Sequence, residues 1–286
     1  MLFLMKESLI SFLDMTAWRM ETPQLFGGFH LCALVVTAAA AVCAAAVFAH
    51  RIRSKAAGRI SLVRILVACG CVLAVLEVYK QLFLYYVVNG EAYDWWFFPF
   101  QLCSVPMYLC ILLPLAGKKL RRTFFTFMSG YTFISAAAAL IYPEDYLRSY
   151  ISLTVHGFLW HGILLFISLL IIFSGAADSR GRGIIRAAGL FAVLCAAAVL
   201  INIAAEPLMQ AAVQNGAGLP HDHAAMFYLN PYHLSPQPLV SSVQKTAGIP
   251  AGLVLYSLVI AAAGSAVISL TSRAASGSRK ARSSTR

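Results

Sequence analysis

A thiol and an imidazole held at one depth can make a nucleophile, and this chain offers both in apolar surroundings. Cys103 lies in "FFPFQLCSVPMYLCILLPLAGKK", residues 97–119, and His156 and His161 close the "HGFLWH" stretch. A thiol, with a reference pKa of about 8.5, is mostly protonated at neutral pH, and a neighbouring histidine can take its proton. A cysteine in an apolar helix is ordinarily a small filler, and six others occur here, so Cys103 needs a second signal. Depth supplies it. If residues 97–116 and 150–174 both enter a membrane from the same side, Cys103 lies about 9 Å along its helix, His156 also about 9 Å and His161 roughly 16 Å. The two histidines are roughly 140° apart around a helix, so one of them faces a shared centre.

Other polar groups fall at similar depth. Glu77, Lys80 and Gln81 share one helix face through their i, i+3, i+4 spacing, and His30 and Asn202 stand near the outer ends of their segments. Ionisable groups are costly in a bilayer, so each is a candidate for a supporting or substrate-binding role, Gln101 included. The simplest arrangement is an outward-opening polar pocket. His221, Asp222, His223 and His233 carry chemistry that suits zinc, but a solvated polar loop is the commoner use, and no metal or cofactor is assigned.

The elements that must position these groups follow from composition. The chain has 286 residues, of which 60% are hydrophobic and 12% charged, with a mean hydropathy of +0.77. Such a chain cannot hide its apolar surface in one soluble core. A span needs ~20 mainly apolar residues, and seven segments qualify: 27–49, 61–84, 97–116, 123–142, 150–174, 184–205 and 250–272. The expected fold is an all-α, seven-span bundle. Residues 1–272 form one membrane domain with a long outer loop, 206–249, read as an ordered lid or re-entrant segment. A basic, disordered tail follows at 273–286, and the first 26 residues suit an interfacial amphipathic helix better than a signal peptide.

The formal charge is +11, and 17 of the 22 Lys and Arg follow spans one, three, five and seven. That asymmetry places the N-terminus outside and the C-terminus in the cytoplasm. The charge is a topology signal, and a nucleic-acid partner is not expected. The seven cysteines all fall within expected spans, away from any outer loop where a structural disulfide would form. Residues 250–272 contain no lysine, which excludes a retinal Schiff base in the last span.

Three stretches carry a resemblance: "FPFQLCSVPMYL", "HGFLWH" and "FYLNPYHLSPQPLVSSVQKTAGIPAGLVLY". Together they resemble the YwaF-like integral membrane proteins, whose animal relatives include a transmembrane acyltransferase that remodels ether phospholipids. The resemblance implies catalysis by Cys103 and by a histidine two spans later, which spacing places at His161, whereas depth favours His156. It implies an acyl transfer between membrane phospholipids through a cysteine thioester, in the plasma membrane. Two rivals stand beside that expectation: a transporter or receptor for a small polar or lipidic ligand, using the same pocket and the Glu77 and Lys80 pair, and a membrane scaffold without turnover.

Overall fold

A computed structural model of the protein describes residues 2–54 and 61–284, with no strand among them. Lys55, Arg59 and Arg286, three of the basic residues used for the topology, lie outside the described residues. Ten helices follow in order: α1 (Leu2–Met15), α2 (Gly28–Arg53), α3 (Leu62–Phe83), α4 (Val105–Leu112), α5 (Lys118–Phe127), α6 (Phe133–Ile141), α7 (Ile151–Ser174), α8 (Gly181–Gln214), α9 (Pro238–Ala247) and α10 (Ile249–Ser284). Two π-helical turns extend this set. Leu84–Val88 prolongs α3, and Met128–Thr132 joins α5 to α6.

Six helical stretches are long and apolar enough to cross a membrane, and they match six of the seven expected segments. The remaining one, 97–116, does not form a span-length helix. It breaks into a 3-10 turn, Trp95–Phe97, an extended and turning stretch through Ser104, and the eight residues of α4. The prolines are the cause. Pro99 keeps Phe98 extended at φ −53°, ψ 135°, and Pro106 fits only in the first turn of a helix, so the helix starts there.

Two bounds also differ from expectation. Glu206 and Pro207 read as a break, yet α8 continues through them to Gln214, because Leu208, Met209, Gln210 and the two alanines after it are good helix formers. The α10 backbone runs on to Ser284 through most of the segment expected to be a disordered tail, whose side chains after Thr271 lie outside the described residues.

The bundle is organised around α7, whose Leu164, Ile167, Leu170 and Ile171 are fully enclosed. Its main partner is α2, whose two ends are fastened differently. At one end Arg53 Nη1 donates to the Phe173 carbonyl at 2.9 Å. At the other, the Phe26 N–H donates to His30 Nδ1 and His30 Nε2 donates to the Leu140 carbonyl, each at 3.0 Å. Both ring nitrogens of His30 are therefore used: Nδ1 closes the entry to α2, and Nε2 fastens α2 to α6.

Lipid tails are as apolar as leucine, so helices in a bilayer associate through close packing rather than hydrophobic exclusion. The contact of α10 with the Met128–Thr132 π turn shows this. A Cβ on Gly130 would stand 2.5 Å from the Gly264 carbonyl, and beside it Tyr131 is sandwiched between Phe127 and Phe191 at centroid distances of 4.9 Å. Backbone cannot step aside as a side-chain tip can. Gly130→Leu is expected to lower stability by about 1–3 kcal/mol or more through overpacking, read as a fall in the thermal midpoint in detergent; an unchanged midpoint would mean that α10 is not held there.

Candidate functional site

A segment without helical hydrogen bonds survives inside a bundle only if its backbone finds other partners. Between Phe97 and Ser104 it does. Gln81 Nε2 donates to the Phe97 carbonyl at 2.6 Å, Tyr108 Oη to the Pro99 carbonyl at 2.7 Å and Trp160 Nε1 to the Cys103 carbonyl at 3.2 Å. Each donor comes from a different helix: α3, α4 and α7. The result holds Cys103 immediately before Ser104, the N-cap of α4.

Cys103 opens on a cavity of about 370 Å³ that is also lined by Lys80, Gln101, His156, His161 and Arg148. Four of the expected catalytic and supporting residues thus meet Cys103 in one space. Neither imidazole is hydrogen bonded to its sulfur. His161 Nδ1 donates to the Gly157 carbonyl at 2.8 Å, and the ring stacks on Tyr146 at 4.9 Å. A carbonyl only accepts, so the Nδ1 proton is fixed and Nε2 is left as a base. His156 has the opposite tautomer, with Nε2 donating to the Leu76 carbonyl at 3.1 Å and Nδ1 left free. Its ring stacks on Trp160.

Lys80 Nζ is 2.9 Å from Glu77 Oε1, which also accepts from Gln81 Nε2 at 2.6 Å. Glu77 is therefore a partner of the cavity's lysine and not itself a lining residue. Its second oxygen, Oε2, is buried without a partner. Through Gln81 the same cluster holds the Phe97 carbonyl, so α3 is fastened to the broken segment.

The loop 215–237 turns inward at Ala224–Leu229 and lends Phe227, Tyr228 and Gln237 to the cavity wall. Two amide side chains hold it. Asn202 donates to the Met226 carbonyl at 3.1 Å and accepts from the Met226 N–H at 2.7 Å. Gln101 donates to the Ala225 carbonyl at 3.0 Å and accepts from the Phe227 N–H at 2.9 Å. Between and beside these clamps, Phe227 and Tyr228 hold positive φ values of 55° and 57°, unusual for bulky residues. Tyr228 Oη donates to Asp145 Oδ2 at 3.0 Å, and burial raises its phenol well above the ordinary range, so it remains a donor.

His30 and Asn202, expected at the pocket, are instead structural ties. The loop histidines are each matched to a carboxylate: His221 to Asp94 at 2.8 Å, His223 to Asp222 at 2.6 Å and His233 to Glu206 at 2.7 Å. The hydrogen bond from His223 holds the Asp222 carboxyl below its usual value. Among the described residues no group of three ligating side chains converges on a metal-sized site. All seven cysteines are free.

Sequence reasoning missed Trp160, Tyr146 and Arg148. Trp160 carried a readable signal, since it stands four residues after His156 and so on the same face of α7. Tyr146 had none, because its ring reaches the site by lying flat on Gly157. A Cβ there would overlap the ring, so Gly157→Ala is expected to displace Tyr146 and loosen the His161 ring. The test is the stacked geometry in a structure of the variant; an unmoved ring would overturn it.

Apolar helices long enough to cross a membrane, packed around a cavity lined by a thiol, two imidazoles and a paired lysine, define a helical integral membrane protein. The TMEM164 family matches residues 25–268, which is most of the chain and spans every one of these groups. The protein belongs to that family. No match is found among curated proteins or among solved structures.

Proposed function

We propose that the cavity performs acyl transfer between membrane phospholipids, with Cys103 as nucleophile. The observation that carries this reading is the convergence of Cys103, His161, His156 and Lys80 on one space among apolar walls. His161 Nε2 takes the thiol proton, and Sγ attacks the ester carbonyl of a phospholipid acyl chain. The tetrahedral oxyanion gains from the Lys80 charge. Its collapse breaks the ester C–O bond, leaves the acyl thioester on Cys103, and returns the proton from His161 to the departing lysophospholipid oxygen. A second lysophospholipid hydroxyl then gives its proton to His161 and attacks the thioester, and the thiolate is released and reprotonated. Water is the competing acceptor.

The YwaF-like relationship and the link to ether-lipid remodelling belong to this proposal, as does residence in the plasma membrane. So does a seventh crossing. The segment 89–117 joins the far end of α3 to the start of α5, and α4 packs back along α3 with Cys110 against Gly70, which supports counting it as a broken span. With the basic residues gathered at alternate ends, the N-terminus lies outside and the C-terminus in the cytoplasm.

Intact-protein mass spectrometry after incubation with defined phospholipids in nanodiscs tests the reading. A hydroxylamine-sensitive acyl adduct is expected. Ligand binding with no adduct and no exchange across several lipid classes would move the function to transport or reception. The base is tested in the same assay: His161→Gln is expected to slow adduct formation by on the order of 10²- to 10⁴-fold, and His156→Gln by much less. The reverse order would assign the base to His156.

A further inference from the structure

Two cations line the cavity, and only one is neutralised by contact. Lys80 is paired with Glu77. Among the described residues Arg148 has no ion-pair partner, and its only side-chain hydrogen bond there is from Nε to the Asp145 backbone carbonyl at 3.0 Å. Nη1 and Nη2 carry none. The two carboxylates whose charge reaches Arg148 are engaged elsewhere: Asp145 accepts from Tyr228, and Asp94 from the Trp96 N–H and from His221. The guanidinium is nonetheless held in place, with its central carbon 4.7 Å from the centroid of Phe97. Its backbone is held as well. The Arg148 N–H donates to Thr154 Oγ1 at 3.0 Å, and that hydroxyl donates to the Arg148 carbonyl at 3.1 Å.

We propose that Arg148 is the headgroup anchor of the cavity, its two free nitrogens binding the phosphodiester of the phospholipid whose ester lies at Cys103. This rests on the acyl-transfer reading and deepens it. A guanidinium presents a planar fork that matches two phosphate oxygens, and such charge-assisted pairs are the strong ones. The position fits the chemistry. Thr154, which pins Arg148, stands on the first turn of α7, and His156 and His161 follow it deeper on the same helix, at about 1.5 Å per residue. A glycerophospholipid has the same order along its length, with the phosphate separated from the ester carbonyls by the glycerol unit. Phosphate at Arg148 therefore sets which carbonyl reaches the thiol.

The test is direct binding to the full chain in detergent micelles, followed by native mass spectrometry in a Cys103→Ser background, so that it does not depend on turnover. Two probes differ only in the phosphocholine group: 1-oleoyl lysophosphatidylcholine and monoolein. The phosphate-bearing lipid is expected to bind more tightly, and Arg148→Gln to weaken it by roughly ten- to a hundred-fold, the range of a charge-assisted hydrogen bond. Monoolein should bind the variant as it binds the parent, which also shows that the variant is folded. Arg148→Lys, which keeps the charge but loses the fork, should fall between. Equal losses for both lipids, or no loss for either, would overturn the proposal. Inorganic phosphate at millimolar concentration should not displace the lysophospholipid; Arg148-dependent displacement would assign the site to free phosphate and overturn the lipid headgroup. Adduct formation at an intact Cys103 is a separate readout, so failure of this anchor and failure of acyl transfer are told apart.

Discussion

Cys103→Ser is expected to reduce phospholipid acyl exchange by on the order of 10⁴-fold or more and to abolish the hydroxylamine-sensitive adduct, with the fold intact. Removal of the nucleophile from a site that works as a unit leaves only residual binding effects. A serine hydroxyl is a much weaker acid than a thiol, and an imidazole matched to a thiol does not activate it equally. The fold should survive because the Cys103 side chain makes no hydrogen bond; the contact with Trp160 is through the backbone carbonyl. Cys110 provides the contrast. Its thiol is fully buried and points to Met128 Sδ at 3.7 Å, so Cys110→Ala should cost stability through the cavity it leaves and spare the adduct. Full exchange activity in Cys103→Ser, measured with defined donor and acceptor lipids, would remove the thioester from the mechanism.

The second large effect is expected at Asn202, which lies away from the thiol. Asn202→Leu keeps the branched four-atom side-chain skeleton but strands the Met226 N–H and carbonyl, which the native amide satisfies together. Each orphaned buried group costs about 1–3 kcal/mol, and the nearest relief is for the loop to swing outward and hydrate. Hydrogen exchange should therefore rise at residues 224–229 while the interior of α7 stays protected. If exchange there is unchanged, the loop is held by its apolar side chains and the clamp is incidental.

How much of this was legible in the sequence depends on the range of the cause. Six of the spans follow from local hydropathy, and the seventh segment carried its own warning in Pro99 and Pro106, whose effect on backbone is local too. Helix rise could not place Cys103, because residues 98–104 do not form the helix whose rise the depth estimate used; Cys103 shares a space with both histidines through a broken segment instead. The roles of His30 and Asn202 could not be read either. Both are polar groups near the ends of apolar helices, where a pocket residue and a tie to a distant backbone look alike in one dimension. Leu140 is 110 residues from His30, and Met226 is 24 from Asn202. Arg148 is hidden for a related reason: in sequence it reads as one of the few basic residues away from the crowded side, and nothing near it in sequence says that Phe97 lies against its guanidinium beside the cavity.

Gln101 joins two parts of the molecule that could have been independent. Its side chain grips the 215–237 loop on both sides of Met226, and two residues later the chain carries the proposed nucleophile, Cys103. A loop that swings away pulls on the same short, non-helical strand whose shape aims Cys103. Under the proposed acyl transfer, access and reactivity are thereby interlocked, as a guard on a machine cuts the power when it is lifted: bulk water admitted by an outward swing of the loop would meet a thiol no longer aligned to hand it an acyl chain.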